Sequence, residues 1–169
     1  IGCRKCEWAC RGAHDIENGD IQDYADESVF ENKRRPSDKN LTIVNRYEVE
    51  DNKSFNAKLQ CMHCDHPACV SACIVGAISK KKNGTVVWDT DKCIGCRYCM
   101  VACPFQIPAF EYQKALDPKI MKCDFCNERT MEGKLPACVD ICPVEALSLI
   151  SANDPHKPKR RKARLDDEI

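Results

Sequence analysis

Long apolar runs, an excess of charge and the common catalytic motifs are all missing from this sequence. No uninterrupted apolar stretch approaches the roughly 18 residues of a membrane-spanning helix, so no such helix is predicted. The 26 basic side chains balance the 26 acidic ones, which gives no overall argument for nucleic-acid binding. A phosphate-binding loop, a dinucleotide fingerprint and a Ser/His/Asp arrangement are also absent. We therefore expect a protein that does not itself transform a substrate.

Cysteine is abundant instead, with 15 among the 169 residues. The densest run, residues 93–104, reads Cys-Ile-Gly-Cys-Arg-Tyr-Cys-Met-Val-Ala-Cys-Pro. Its C-x2-C-x2-C-x3-C-P spacing is that of bacterial ferredoxins, in which three thiolates bind one iron–sulfur cluster and the fourth binds another. A disulfide-rich module is a weaker alternative, because high cysteine content indicates one mainly in short secreted chains. A protein that binds several zinc ions is the other alternative.

The amino-terminal block is similar to this run but has one cysteine fewer. The sequence Ile-Gly-Cys-Arg occurs in both blocks, at 1–4 and 94–97. The matching cysteines are Cys3 with Cys96, Cys6 with Cys99, and Cys10 with Cys103. The position that corresponds to Cys93 falls just before Ile1, and we expect a cysteine there. The alternative is a three-ligand site, which would favour a [3Fe–4S] cluster.

Two further blocks are related to each other. The second has the spacing C-x2-C-x4-C-x3-C and contains Cys61, Cys64, Cys69 and Cys73. The fourth has the spacing C-x2-C-x11-C-x3-C-P and contains Cys123, Cys126, Cys138 and Cys142. The sequence Pro-Ala-Cys-Val surrounds the third cysteine of both, which indicates an internal duplication. The repetition gives the chain many more cysteines than the four ligands that one structural zinc site needs. It therefore weakens the zinc interpretation.

The segments around the blocks predict an α+β fold made of short elements. Residues 41–44, continuing to Val49, have the β-branched bias of a strand, and 147–150 are predicted as another. Asn83 and Gly84 lie between two short strand-like runs, which predicts a hairpin in which both turn residues have positive φ. Short helices are expected to begin near the fourth cysteine of each block.

The predicted organisation has two ferredoxin-like units. Unit A comprises residues 1–16 and 115–150, and unit B comprises residues 59–114. Residues 17–58 form an insertion, interpreted as a surface excursion that covers the clusters or meets a partner. Residues 151–169 form a basic polar tail that could contact acidic lipids, nucleic acid or an acidic partner, although a flexible extension without a specific ligand is favoured.

Together the four blocks resemble the ferredoxin-type electron-transfer subunits of membrane-bound oxidoreductases, a group that includes the small subunits of dimethyl sulfoxide and polysulfide reductases. Residues 61–64 and 100–105 look most similar to the ferredoxin proteins of hydrogenase-2 and high-molecular-weight cytochrome complexes. The resemblance implies tandem ferredoxin-like units, each with two [4Fe–4S] clusters, short helices, small antiparallel β-ribbons and many loops. Ile74 departs from the family pattern, which often has proline there, and this affects the local backbone only.

The resemblance also implies which cysteines share a cluster. Cluster 1 would have Cys3, Cys6, Cys142 and the residue expected before Ile1. Cluster 2 would have Cys61, Cys64, Cys69 and Cys103. Cluster 3 would have Cys73, Cys93, Cys96 and Cys99. Cluster 4 would have Cys10, Cys123, Cys126 and Cys138.

By the same resemblance, the chain would relay single electrons within a hetero-oligomeric complex and would not bind nucleic acid. One partner would be a catalytic subunit, either a molybdopterin enzyme or a hydrogenase, or alternatively a multihaem cytochrome. The other would be a quinone-reactive integral membrane subunit. The protein would associate with the membrane through these partners, with the periplasmic face of the inner membrane favoured and the cytoplasmic face as the alternative.

Residues near the cysteines are expected to adjust the reduction potentials. Basic side chains would stabilise the reduced clusters: Arg4, Lys5, Lys92, Arg97 and Lys122. Burial by aromatic and aliphatic side chains would have the opposite effect: Trp8, Phe105, Ile107 and Phe125. His14 is interpreted as an ordinary polar residue, and His63 and His66 as loop hydrogen-bonding residues with cluster tuning as the alternative. The apolar core is expected to be too small to fold without the clusters.

Overall fold

The computed structural model describes residues 1–51, 53–114 and 118–149, and the tail predicted at 151–169 lies outside these ranges. The described residues form the helices α1 (Lys5–Gly12), α2 (Ala68–Ser71), α3 (Tyr98–Ala102), α4 (Asn127–Met131) and α5 (Ala137–Asp140). They form the strands β1 (Ile43–Val49), β2 (Lys53–Leu59), β3 (Ile78–Lys80), β4 (Val86–Trp88), β5 (Ala109–Phe110) and β6 (Ile120–Met121). Two 3₁₀ helices, Ile21–Ala25 and Ser28–Phe30, lie between α1 and β1.

The six strands pair as three separate antiparallel ribbons, β1 with β2, β3 with β4, and β5 with β6. The predicted α+β class with short helices and small antiparallel sheets is therefore confirmed, while the division into tandem units stays a prediction. No helix in the described ranges is long and apolar enough to cross a membrane.

The longest ribbon lies within the segment interpreted as a surface insertion. Its register runs from Ile43 opposite Leu59 to Val49 opposite Lys53. The strand predicted from residue 41 is confirmed as β1, but β2 was not predicted because its polar sequence lacks a regular apolar alternation. Leu41, Ile43 and Val44 are buried, so this part of the segment is interior. The interpretation of residues 17–58 as an insertion that covers the clusters or meets a partner stays a prediction.

The predicted hairpin at residues 77–88 is confirmed as β3 and β4, but its turn differs from the prediction. Only Gly84 of the two central residues has positive φ, at 88°. The Gly84 N–H donates to the carbonyl of Lys81 at 2.9 Å, and Lys81 N–H donates to Thr85 at 2.7 Å. This is a longer loop closed by a left-handed glycine, which releases Asn83 from positive φ. The Asn83 carboxamide instead accepts a hydrogen bond from the Thr85 hydroxyl at 2.7 Å.

The helices begin earlier in the blocks than predicted. In three of the four blocks the helix contains the third cysteine and ends before the fourth: α2, α3 and α5. The fourth cysteine starts a turn, in which the residue three positions later has positive φ and donates its N–H back to the cysteine carbonyl. The donors are Gly76, Gln106 and Glu145, at 3.1, 3.0 and 3.2 Å. Because a helix cannot continue through this turn, it occupies the preceding residues.

The strand predicted at 147–150 is not found over 147–149, and Ile150 lies outside the described residues. The backbone N–H groups of Val144, Ala146 and Leu147 hydrogen-bond to the Cys142 thiol instead. The backbone therefore wraps around a cysteine here, which is incompatible with an extended strand.

The packed interior has two parts. The first combines Ile78, Val86, Cys99 and Ile120, with α2 packed against α3 and β3. The second lies around α1, which packs against α5 and the first 3₁₀ helix. In this second part a buried ion pair joins Glu7 of α1 to Arg34, with Arg34 Nη2 2.6 Å from Glu7 Oε1. These contacts fasten residues 17–58 to the helix that carries Cys6 and Cys10.

Candidate metal centres

All four cysteine blocks contain the same backbone feature. A residue with positive φ comes just before the second cysteine of the C-x2-C pair in the second, third and fourth blocks: His63 at 44°, Gly95 at 68° and Phe125 at 68°. In the first block Gly2, at 79°, comes just before Cys3, which matches Cys96. Glycine adopts this conformation without strain, so only two of the blocks carry the residue that would reveal it in the sequence. Such turns direct successive N–H groups into a concavity that suits an anion, as at many iron–sulfur sites. In the fourth block the Phe125 N–H lies 3.4 Å from the Cys123 sulfur.

One cavity is lined by the four thiols assigned to cluster 3. They are Cys73, Cys93, Cys96 and Cys99. Its remaining wall is largely apolar and includes Ile78, Trp88 and Ile120. Burial, reinforced by the neighbouring thiols, raises the pKa of Cys99 to about 11. The second and third blocks therefore meet around one thiol-rich space.

A second cavity is lined by the four thiols assigned to cluster 4. They are Cys10, Cys123, Cys126 and Cys138. His14, Lys58 and Phe125 also border this cavity. Burial raises the pKa of Cys123 to about 12, even though the Phe125 N–H and two lysine charges act in the opposite direction. Cys10 is separated from Cys123 by more than a hundred residues, so the fold alone brings these ligands together.

The thiols assigned to cluster 2 also lie close together. Burial raises the pKa of Cys69, and the thiols of Cys61, Cys103 and Cys64 act in the same direction. The thiols of Cys61, Cys64 and Cys103 therefore lie near that of Cys69.

The cysteines assigned to cluster 1 are less completely assembled in the described residues. Burial raises the pKa of Cys6 to about 11, with Cys3 among the neighbours that add to the effect. Cys142 lies near the amino group of Ile1. Burial alone would raise the Cys142 pKa, but its three backbone N–H donors and that amino group bring the pKa below its ordinary value. After burial, the Cys138 thiol assigned to cluster 4 also raises the pKa of Cys6. The ligand expected before Ile1 stays a prediction.

All fifteen cysteines are free thiols, and no two of them form a disulfide bond. Several buried, neutral thiols in one place are unfavourable to ionise together, because each thiolate would repel its neighbours in a poorly solvated region. Iron or another thiol-binding metal removes this conflict by replacing the protons with positive charge. The donor set and the N–H concavities therefore fit [4Fe–4S] clusters.

His14 makes a structural contact at cluster 4 that its sequence position did not reveal. Its Nε2 lies 2.7 Å from Asp124 Oδ1, and its Nδ1 lies 2.7 Å from the Cys10 carbonyl. Burial would lower the His14 pKa, but the Asp124 and Cys10 acceptors raise it above its ordinary value. Polar atoms of His14, Asp124 and Cys126 lie within 4.8 Å of one another, which would permit a metal ion. The two hydrogen bonds already explain this proximity, so we interpret His14 as a brace between α1 and the fourth block.

His63 accepts a hydrogen bond at Nδ1 from the Val86 N–H at 2.9 Å, which agrees with the loop hydrogen-bonding interpretation. Burial, together with the charges of Lys122 and Lys80, lowers the His63 pKa to about 4, so the ring is neutral. His66 is exposed. Phe105 was expected to bury a cluster, but 47% of it is exposed.

Comparison with known proteins places these sites in a family. A relative from Nitratidesulfovibrio vulgaris is 50% identical over 150 residues, which are 88% of this chain and 40% of the relative. The probable anaerobic dimethyl sulfoxide reductase chain YnfG of Escherichia coli K12 is 37% identical over 146 residues, 86% of this chain and 66% of that protein. The formate dehydrogenase-O iron-sulfur subunit of Escherichia coli K12 is 37% identical over 153 residues, 87% of this chain and 48% of that protein.

The chain thus spans between 40 and 66% of the length of these three relatives. The sequence profile of the 4Fe-4S dicluster domain matches residues 53–152, which include the second, third and fourth cysteine blocks. The chain belongs to the 4Fe-4S dicluster domain family.

Proposed function

We propose that this protein is the electron-transfer subunit of an oxidoreductase complex and relays single electrons through four [4Fe–4S] clusters. The observation that carries the proposal is the convergence of cysteines from different blocks on shared sites. Two cavities are each lined by four thiols from two or three separate segments. A fold that gathers distant thiols in this way is organised around bound metal.

The four sites are proposed to form a row. In addition to burial, the Cys138 thiol of cluster 4 raises the pKa of Cys6 in cluster 1. In the same way, the Cys61 thiol of cluster 2 raises the pKa of Cys123 in cluster 4. The Cys69 thiol of cluster 2 likewise raises the pKa of Cys99 in cluster 3. These neighbours support the order cluster 1, cluster 4, cluster 2, cluster 3, in which every electron step is between adjacent sites.

When bound, each [4Fe–4S] cluster accepts and releases one electron. The contribution of the protein is to fix the spacing and the surroundings of the clusters. One short helix carries ligands of two neighbouring sites. In the third block, Cys99 lies within the helix and Cys103 at its carboxyl end, and they are assigned to clusters 3 and 2. The Phe125 N–H donates to the Cys123 sulfur, and three backbone N–H groups donate to Cys142. The largely apolar wall of the cluster 3 cavity limits access of water.

The names of the relatives support a catalytic partner, whereas the multihaem cytochrome and the quinone-reactive membrane subunit are proposed from the family resemblance. Relatives include a chain of anaerobic dimethyl sulfoxide reductase, a formate dehydrogenase-O subunit and a hydrogenase-2 operon protein. We infer a catalytic subunit of the molybdopterin or hydrogenase type, or a multihaem cytochrome, on one side and a quinone-reactive membrane subunit on the other. The protein would then reach the membrane through these partners, on the periplasmic face in the favoured arrangement, and would itself be non-catalytic.

The test is to purify the full-length protein anaerobically with its bound partners and to measure iron, sulfide and zinc for each chain. Four [4Fe–4S] clusters require about sixteen iron ions and as many sulfides. We expect a brown protein in which reduction produces EPR signals from four interacting clusters. A colourless protein that contains zinc and gives no EPR signal would contradict the proposal and support the zinc alternative. A [3Fe–4S] signal in the oxidised protein would support the three-ligand alternative for cluster 1.

A further inference from the structure

Lys122 has an unusual position for a charged residue. It is the largest completely buried side chain in the described part of the protein, with 1% of its surface exposed. Its Nζ donates hydrogen bonds to the backbone carbonyls of Val86 and Cys123, the second at 2.9 Å. The same atom lies 5.5 Å from the centre of the Trp88 ring.

The carbonyl groups satisfy hydrogen-bond donors of this ammonium group, but they do not neutralise its charge. A buried charge is strongly unfavourable unless an opposite charge lies nearby. Across residues 1–51, 53–114 and 118–149, no carboxylate forms an ion pair with Lys122. The protein part of the site therefore leaves a positive charge to be balanced.

The location of Lys122 indicates what balances it. Cys123 belongs to cluster 4, and Val86 lies on β4 next to the sites of the second and third blocks. Burial raises the pKa of both Cys69 and Cys123, and the Lys122 charge acts against that rise at each of them. Cys69 is assigned to cluster 2, so one ammonium group acts on the ligands of two different clusters.

We propose that Lys122 is the shared counter-charge of clusters 2 and 4 and raises the reduction potential of both. The inference rests on the proposed function, since it requires those two clusters. A cluster bound by four thiolates is anionic, and reduction adds one more negative charge. A fixed positive charge in a buried region is screened little by salt or water and therefore stabilises the reduced state.

Lys80 provides a matched comparison. Its Nζ also donates to two backbone carbonyls of a cysteine block, those of Cys64 and Asp65, both at 2.9 Å. It differs in that it lies 3.6 Å from the Asp65 carboxylate and has 27% of its side chain exposed. Because its charge is paired and solvated, removal of Lys80 should affect the clusters much less.

The experiment compares Lys122→Met, Lys122→Arg and Lys80→Met in the full-length protein with its bound partners. Iron content and the midpoint potential of each cluster are measured by EPR-monitored redox titration. For Lys122→Met we expect the equilibrium constant for reduction of clusters 2 and 4 to fall about tenfold, a shift of about 59 mV for one electron. The potentials of clusters 2 and 4 should remain near the wild-type values in Lys80→Met and in Lys122→Arg.

Each outcome decides the inference. Unchanged potentials in Lys122→Met, or a shift no larger than that of Lys80→Met, would overturn it. If Lys122→Met does not load clusters 2 and 4, then normal loading of Lys122→Arg supports the counter-charge, and equal loss in Lys122→Arg overturns it. A wild-type protein without iron–sulfur signals would instead contradict the proposed function, so the two failures are distinguishable.

Discussion

At the scale of single residues, Glu7 links a cysteine-bearing helix to a segment that contains no cysteine. Its carboxylate is 1% exposed and accepts two hydrogen bonds from the Arg34 guanidinium, at 2.6 and 3.0 Å. It also accepts the Val44 N–H at 2.6 Å. Arg34 in turn donates to the Val44 carbonyl at 2.9 Å. Helix α1 and strand β1 are therefore held together by one buried, fully hydrogen-bonded carboxylate.

Replacing Arg34 with Ala should destabilise the protein strongly, because Glu7 would remain buried without its opposite charge. Removal of one partner of a buried pair costs about 3–5 kcal/mol in the free energy of unfolding. The measurement is anaerobic denaturant unfolding of the cluster-loaded protein.

Arg46→Ala is the matched control for Arg34→Ala. Arg46 also forms a bidentate pair, with Glu27 at 3.0 and 3.3 Å, but the Glu27 side chain is 70% exposed to solvent whereas that of Glu7 is 1% exposed. Its loss should change stability little. Equal effects of the two substitutions would mean that the Glu7 pair does not hold α1 and β1 together.

At the scale of elements, the third block contributes to two sites through one short helix. Cys99 lies within α3 and lines the cavity assigned to cluster 3, whereas Cys103 caps the carboxyl end of the same helix. In addition to burial, the Cys103 thiol raises the pKa of Cys69, which is assigned to cluster 2. The proposed exchange of ligands between blocks therefore depends on a helix of 5 residues.

Cys103→Ser should damage cluster 2 and leave cluster 3 largely intact, although Cys103 belongs to the run that surrounds cluster 3. We expect loss of about one to four iron ions for each chain, depending on whether cluster 2 becomes [3Fe–4S] or is lost. Iron analysis and EPR of the variant would establish this.

Cys96→Ser is the reciprocal control, since Cys96 lines the cavity of cluster 3. It should damage cluster 3 and spare cluster 2. If Cys103→Ser instead removes the signals of cluster 3, the assignment of Cys103 to cluster 2 is wrong.

The elements also separate what the sequence could predict from what it could not. The hairpin at β3 and β4 was predictable because the turn residues stand between two short apolar runs. The positive φ of His63 and Phe125 was not, since neither residue type favours that conformation and only the parallel with Gly2 and Gly95 reveals it. Strand β2 was missed because it is specified by pairing with β1 and not by its own apolar pattern.

The role of His14 was missed for a related reason. Its partner Asp124 is 110 residues away, so no local pattern connects the two side chains. The only sequence signal is its position four residues after Cys10, in the turn that follows α1. Spacing defined the cysteine blocks, whereas the residues that brace the blocks depend on tertiary contacts.

At the scale of the whole molecule, the ligands themselves are part of the interior. Four cysteines are among the buried apolar residues that the structure describes: Cys10, Cys99, Cys123 and Cys126. Other buried positions hold charged side chains, including Glu7 and Lys122. The apolar residues of each part of the interior are consequently few, and the space between them is lined by thiols.

Removal of the clusters should therefore unfold most of the protein, because metal-binding free energy is folding free energy in a domain of this type. Treatment with an iron chelator and an oxidant, followed by anaerobic thiol reduction, should abolish the cooperative unfolding transition and most of the far-UV circular dichroism. The chelator alone, with the clusters intact, is the control. Retention of a cooperative transition in the iron-free, reduced protein would contradict this prediction. It would mean that buried apolar residues such as Leu41, Ile43, Ile78 and Ile120 stabilise the fold without the clusters.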